Sequence, residues 1–156
     1  MDSNNFQRVG STSNTHVGRN FEITAKNYFQ QHGISLDRNY AVRLGVNIKK
    51  KNRQFDLGSD DPSILVECKS HRWTQGGNIP SAKMTVWNEA MYYFYLAPKR
   101  FRKVLFVLHD FSEKRNETLA AYYVRNYGHL IPIDVEILEY NEISREVISI
   151  PTLAST

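Results

Sequence analysis

Cysteine is nearly absent from this chain. Its one thiol, Cys68, has no partner for an internal disulfide and lies on the apolar side of a predicted strand, which suits a reducing compartment. Long apolar runs are missing as well: none approaches the ~20 residues needed to cross a bilayer. The N-terminus also lacks the short apolar segment of a secretory signal. A soluble, cytoplasmic protein with no membrane partner is therefore the expectation. The five histidines (His16, His32, His71, His109 and His129) show no paired metal-ligand spacing, and His32, His109 and His129 read as structural or surface residues. No internal repeat is found, and no low-complexity segment lies beyond the N-terminal arm.

What remains is an ordinary globular composition with a basic balance. Hydrophobic residues make up 41% and charged residues 23% of 156 positions, enough for one core and short of two domains. Twenty Lys plus Arg against 16 Asp plus Glu give a net charge of +4 and a pI near 9.2, which favours an anionic partner. Residues 1–17 are polar and rich in Ser and Asn and read as a loose arm. Residues 18–150 form the domain, and 151–156 a tail.

A helix is predicted from about Gly18–Asn20 to Gly33, with Phe21, Ala25, Tyr28, Phe29 and His32 on one stripe and Glu22 bordering it. Tyr40 to Ile48 alternates as a strand, Lys49 to Arg53 is a basic turn, and residues 53–70 read as a hairpin whose turn is Gly58 to Ser63. A loop over His71 to Pro80 leads to a helix with Met84, Trp87, Met91 and Tyr95 at helical spacing, ending at Pro98. Lys103 to Leu108 is a continuous apolar run, as in a strand covered on both faces. Glu117 to Tyr127 is a third helix, and Val135 to Tyr140 the last strand. The order αβββαβ, plus a C-terminal helix and strand, implies an α/β fold with a mixed central sheet flanked by helices.

The chemistry concentrates in the hairpin, at Phe55-Asp56-Leu57-Gly58 and Ile64-Leu65-Val66-Glu67-Cys68-Lys69. Alternation puts Glu67 and Lys69 on one face and Ile64, Val66 and Cys68 on the other, while Phe55 and Leu57 both face away from Asp56. If the strands pair, two acids and a lysine converge. Carboxylate oxygens suit a hard divalent cation, Mg²⁺ above all with Mn²⁺ substituting, and such an ion polarises a phosphodiester and activates water. Lys69, beside two carboxylates, stays protonated and orients the water or offsets charge developing on phosphate.

These residues resemble the PD-(D/E)XK phosphodiesterase superfamily, the restriction-endonuclease-like nucleases, over roughly Gly18 to Asp110. The resemblance implies that Asp56 and Glu67 are metal-binding acids, that the Cys68 backbone carbonyl is a further ligand and that Lys69 is the catalytic lysine. Glu22 matches the acid many members carry on the first helix, although a glutamate in a first turn is also favoured by the helix dipole alone. Phe55 stands where the motif has proline, and the QxxxY pattern of some branches is absent.

The function so implied is a Mg²⁺-dependent DNA endonuclease of restriction or defence type. The alternatives are a nuclease like the archaeal Holliday-junction resolvases and a catalytically silent DNA-binding protein with the same fold. Lys49, Lys50, Lys51 and Arg53 lead into the Asp56 strand and read as phosphate contacts, as do His71, Arg72 and Lys83 at the rim of the site. A second basic run is Lys99, Arg100, Arg102 and Lys103. Trp73 either stacks on a base or tucks under its own loop. Tyrosines in Met91 to Tyr95 and Ala121 to Tyr127 leave aromatic surface for a homodimer, since cutting both strands of a duplex commonly uses two symmetry-related sites.

Overall fold

The computed structural model describes residues 19–152, so the arm read over 1–17 lies outside the described residues, as does most of the tail. Helix α1 occupies residues 19–31 and buries Phe21, Ala25 and Phe29, one stripe of a 3.6-residue repeat. His32 is exposed and leaves the stripe. Gly33, at φ +79°, ends the helix by letting the Ile34 N–H reach back to the Phe29 carbonyl at 2.9 Å.

Three strands follow: β1 (Asp37–Leu44), β2 (Lys51–Asp60) and β3 (Ser63–Lys69). Helix α2 (Ser81–Leu96) leads to β4 (Arg102–Leu108), and a two-residue pair, β5 (Phe111–Ser112) and β6 (Glu117–Thr118), precedes α3 (Leu119–Tyr127). The chain closes with β7 (Val135–Tyr140) and β8 (Val147–Ile150). The main sheet has six strands in the order β1-β2-β3-β4-β7-β8. Its β3-β4 and β4-β7 pairs are parallel and the rest antiparallel, a mixed α/β sheet whose parallel crossovers run through α2 and α3.

Two cores lie on opposite faces. On one, Met84, Trp87, Met91 and Phe94 of α2 and Leu119 and Tyr123 of α3 meet Phe55, Leu65, Leu105 and Val107. On the other, Phe21, Ala25 and Phe29 of α1 meet Leu57, Ile64, Val66, Val104 and Phe106. Each large apolar side chain buried this way contributes ~1.5–3 kcal/mol.

Several expectations need correction. The hairpin turn is only Asp61-Pro62, joined by a cis peptide, because β2 continues through Gly58 to Asp60. Gly58 can stay in the strand only as glycine: a Cβ there would lie 2.5 Å from the Tyr40 ring packed over it. Lys51 to Arg53 belong to β2 rather than to a turn, and residues 45–48 lie beyond β1 in the connecting loop. Tyr95 is 71% exposed because Ala90 and Phe94 take the buried positions on α2. Glu117 and Thr118 form β6, and the Thr118 hydroxyl caps α3 by accepting the Ala121 N–H at 3.1 Å. A further strand, β8, follows Tyr140.

Candidate active site

The site sits where β2 parts from β3. Ladder pairing between the two runs from Asp60↔Ser63 to Leu57↔Val66 and stops there. Phe55 belongs to the α2 core and Leu57 to the α1 core, so the alternation of side chains breaks between them, at Asp56. This corrects the expectation that Phe55 and Leu57 share a face. The same break crosses into β1: Arg38↔Leu57 and Tyr40↔Phe55 flank an unpaired Asn39 at φ +54°. A left-handed residue opposite Asp56 lets both strands change faces together.

At this fork the Asp56 side chain replaces a ladder bond, its Oδ2 accepting the Cys68 N–H at 2.8 Å. A strand residue turns its N–H and C=O toward the same neighbour, so the Cys68 carbonyl is directed to the same side. Glu67, only 2% exposed, lies beside Asp56; Lys69 Nζ is 3.7 Å from its Oε2 and Arg53 Nη2 is 3.5 Å from its Oε1. Burial first, and then the negative charge of Asp56, push the Glu67 carboxyl up from 4.5 to about 8, against the opposing pull of Lys69 and Arg53. The Cys68 thiol is pushed well above its ordinary value by burial and by Asp56, Glu67 and Glu22. It stays a neutral thiol, leaving only its backbone for chemistry.

Two crowded carboxyls, one of them driven toward its protonated form, present oxygens of the hard type that Mg²⁺ takes. Among the described residues, no group of three or more His, Cys, Asp and Glu side chains is arranged to hold an ion. An ion at the fork would rest on two carboxylates and a backbone oxygen, with water completing the shell. The residues fit such an ion.

The remaining predicted residues divide into those brought to the fork and those committed elsewhere. Glu22 lies close enough to act on Cys68, but its Oε2 is held by Arg38 Nη2 at 2.8 Å. Arg38 thus neutralises the acid of α1, and a lone arginine at a strand start gives no sign of that in the sequence. Arg53 is a site residue as well as a basic one, its guanidinium 4.3 Å over the Tyr93 ring while it reaches Glu67. Lys49 and Lys51 are exposed, whereas Lys50 folds back to donate to the Gly45 carbonyl at 2.7 Å.

Beyond Lys69, the His71 ring accepts the Trp87 Nε1–H at Nδ1 (2.7 Å) and is held down at about 4 by burial, Lys69 and Lys83. The ring is therefore neutral near pH 7, and any phosphate contact it makes is that of a neutral imidazole. Lys83 is exposed on the first turn of α2, near that ring. Arg72 pairs with Glu142 at 2.6 Å and approaches Asp110 at 3.8 Å. Trp73 is not presented to a base: it is 8% exposed, its backbone N–H donates to Asp110 Oδ2 and its ring N–H to the Asp110 carbonyl. In the second basic run, Lys103 is buried (2%) and donates to Asp134 at 2.7 Å, and Arg102 pairs with Glu136, so both are structural.

One more acid shares this face. Register places Val107 between Lys69 on β3 and Glu139 on β7, two strands apart. Glu139 is 2% exposed, its Oε1 meets His109 Nδ1 at 2.9 Å, and its Oε2 is buried without a hydrogen-bond partner. Lys69 ends β3, and Asp110 and Glu142 follow the carboxyl ends of β4 and β7, the edge at which parallel α/β sheets place ligands. No helix among the described residues is long and apolar enough to cross a membrane. Comparison with known protein families, with curated proteins and with solved structures finds no match.

Proposed function

We propose that this chain is a divalent-metal-dependent endonuclease that hydrolyses DNA phosphodiester bonds, built on the restriction-endonuclease-like core of the PD-(D/E)XK superfamily. The observation that carries the reading is the fork at Asp56. There a strand break brings a second carboxylate against buried Glu67, with Lys69 3.7 Å from the latter.

Asp56, Glu67 and the Cys68 carbonyl would hold Mg²⁺ or Mn²⁺, which when bound polarises the scissile phosphate and lowers the pKa of a coordinated water. Lys69 projects from the same strand face as Glu67 and directs its ammonium at the attacking water or the non-bridging oxygens, where negative charge grows. Arg53 balances Glu67 from the other side and fixes its Oε1. The Asp56 carboxylate is oriented by the Cys68 N–H, so its direction does not depend on the ion. Lys49, Lys51 and Lys83 stand outside this centre, where they would meet backbone phosphates, whereas Arg72 is engaged by Glu142.

Supercoiled plasmid incubated with Mg²⁺, with and without chelator, tests the reading on wild type, Asp56→Ala and Lys69→Ala. Nicking should require the metal and fall by about 10² to 10³-fold in each variant. Metal-independent nicking, or variants as active as wild type, would overturn it.

A further inference from the structure

A groove of about 610 Å³ lies next to the fork, between the β1-β2 hairpin and α2. Helix α2 supplies Tyr92, Tyr93 and Leu96, and the hairpin supplies the apolar Leu44 and Val46 together with the basic Lys49, Lys51 and Arg53. The volume is that of a small-molecule site, yet the groove is open and basic at its rim, a combination suited to a segment of anionic polymer with stacking bases.

Arg53 joins the groove to the acids. It lines the groove, lies over the Tyr93 ring at 4.3 Å and stands 3.5 Å from Glu67. One face of Tyr93 is thereby covered by a cation, whereas Tyr92 is 51% exposed. The hairpin tip is apolar where solvent would favour polar residues: Ile48 is 100% and Val46 66% exposed. That tip is nevertheless braced. Asn47 Oδ1 accepts the Lys49 N–H at 2.8 Å, and Lys50 Nζ donates to the Gly45 carbonyl at 2.7 Å.

A continuous duplex buries its base faces inside the stack and has no use for an exposed tyrosine beside an aliphatic tip. Unpaired nucleotides do, because a free base gains from stacking on an aromatic ring and an aliphatic side chain can wedge into the base step it leaves. Lys49 and Lys51 at the rim supply the charge complementarity that separates a nucleic-acid strand from an apolar peptide. We infer that the groove between the β1-β2 hairpin and α2 is a subsite for unpaired nucleotides next to the scissile phosphate. Tyr92 stacks on a base and Ile48 holds the duplex open, making the enzyme selective for DNA interrupted by single-stranded segments over continuous duplex. This inference rests on the nuclease reading for the position of the cut, but not for the binding.

The test uses two labelled DNAs of one sequence, a continuous duplex and the same duplex carrying a three-nucleotide unpaired bulge. Binding is followed by anisotropy in chelator, and cleavage in Mg²⁺. Wild type should favour the bulged DNA in both; Tyr92→Ala should reduce that ratio by about tenfold, the scale of one lost base stack. Tyr92→Phe should restore it, and Ile48→Ala, at a fully exposed position, should reduce it in part. A ratio unchanged in Tyr92→Ala, or wild type without preference, would overturn the subsite. So would Ile48-dependent capture by phosphatidylserine vesicles without any DNA preference, which would make the tip a membrane contact. If the binding preference appears but neither DNA is cut in Mg²⁺, the subsite stands and the nuclease reading falls.

Discussion

Replacing Glu67 by glutamine should make the metal-free protein more stable at high pH while removing its capacity to hold a cation. In the folded chain the Glu67 carboxyl sits at about 8 against 4.5 in a solvated chain, chiefly because it is buried and because Asp56 lies beside it. Between those two values the folded state keeps a proton that the unfolded state has released. Stability therefore falls as pH rises, and the contribution present below 4.5 is lost by the time pH passes the folded value. From pH 6 to pH 9 the loss from this group is about 2.5 kcal/mol, a sizeable part of the ~5–15 kcal/mol that holds a typical domain together. Glutamine has nearly the volume of protonated glutamate and no charge to desolvate. Urea unfolding in chelator at pH 6, 7, 8 and 9 should show the advantage of Glu67→Gln over wild type growing by about 2.5 kcal/mol from pH 6 to pH 9. Parallel pH profiles would refute the reasoning, since they would mean that burial and Asp56 do not hold a proton on Glu67.

Other consequences can be measured separately. Gly58→Ala drives a methyl into the Tyr40 ring, 2.5 Å away, and should cost about 1–3 kcal/mol in urea unfolding. Asp134→Ala leaves the buried Lys103 ammonium with only the Ala97 carbonyl at 3.2 Å; because Asp134 is itself 40% exposed, the loss should be about 1–2 kcal/mol, smaller than for a fully buried pair. The His71 imidazole should titrate by NMR near pH 4, and a midpoint near 6.5 would show that burial and the flanking lysines do not act on it as the geometry requires.

Patterns of one period were legible in the sequence. The stripe of Phe21, Ala25 and Phe29, the β4 run covered on both faces and the bounds of β7 follow from side-chain repeats that a buried face imposes. Departures from a single period were not legible. The change of faces at Asn39 and Asp56 arises from pairing between two strands, and no repeat within either one carries it. Strand β8 is an edge strand with no buried residue, so it has too little burial to leave an apolar signature.

The candidate site divides along the same line. Asp56, Glu67 and Lys69 stood out because charges inside apolar strands need a reason. The fates of Trp73, Arg72 and Glu22 were hidden, because each depends on a partner far away in the chain: Asp110, Glu142 and Arg38. Lys103 shows the converse, a lysine in a basic run that packs inside because Asp134, 31 positions on, meets it. Charge clusters read along a chain report composition, while exposure is decided by where the sheet places each position.

The most direct test of the central claim is a crystal structure of the chain soaked in Mn²⁺ at about pH 8. The account predicts an ion at the fork, bonded at ~2 Å to Asp56, Glu67 and the Cys68 carbonyl, with Lys69 alongside. Saturating Mn²⁺ that leaves the fork empty, or settles only elsewhere, such as at the carboxylate–imidazole pair of Glu139 and His109, would contradict it.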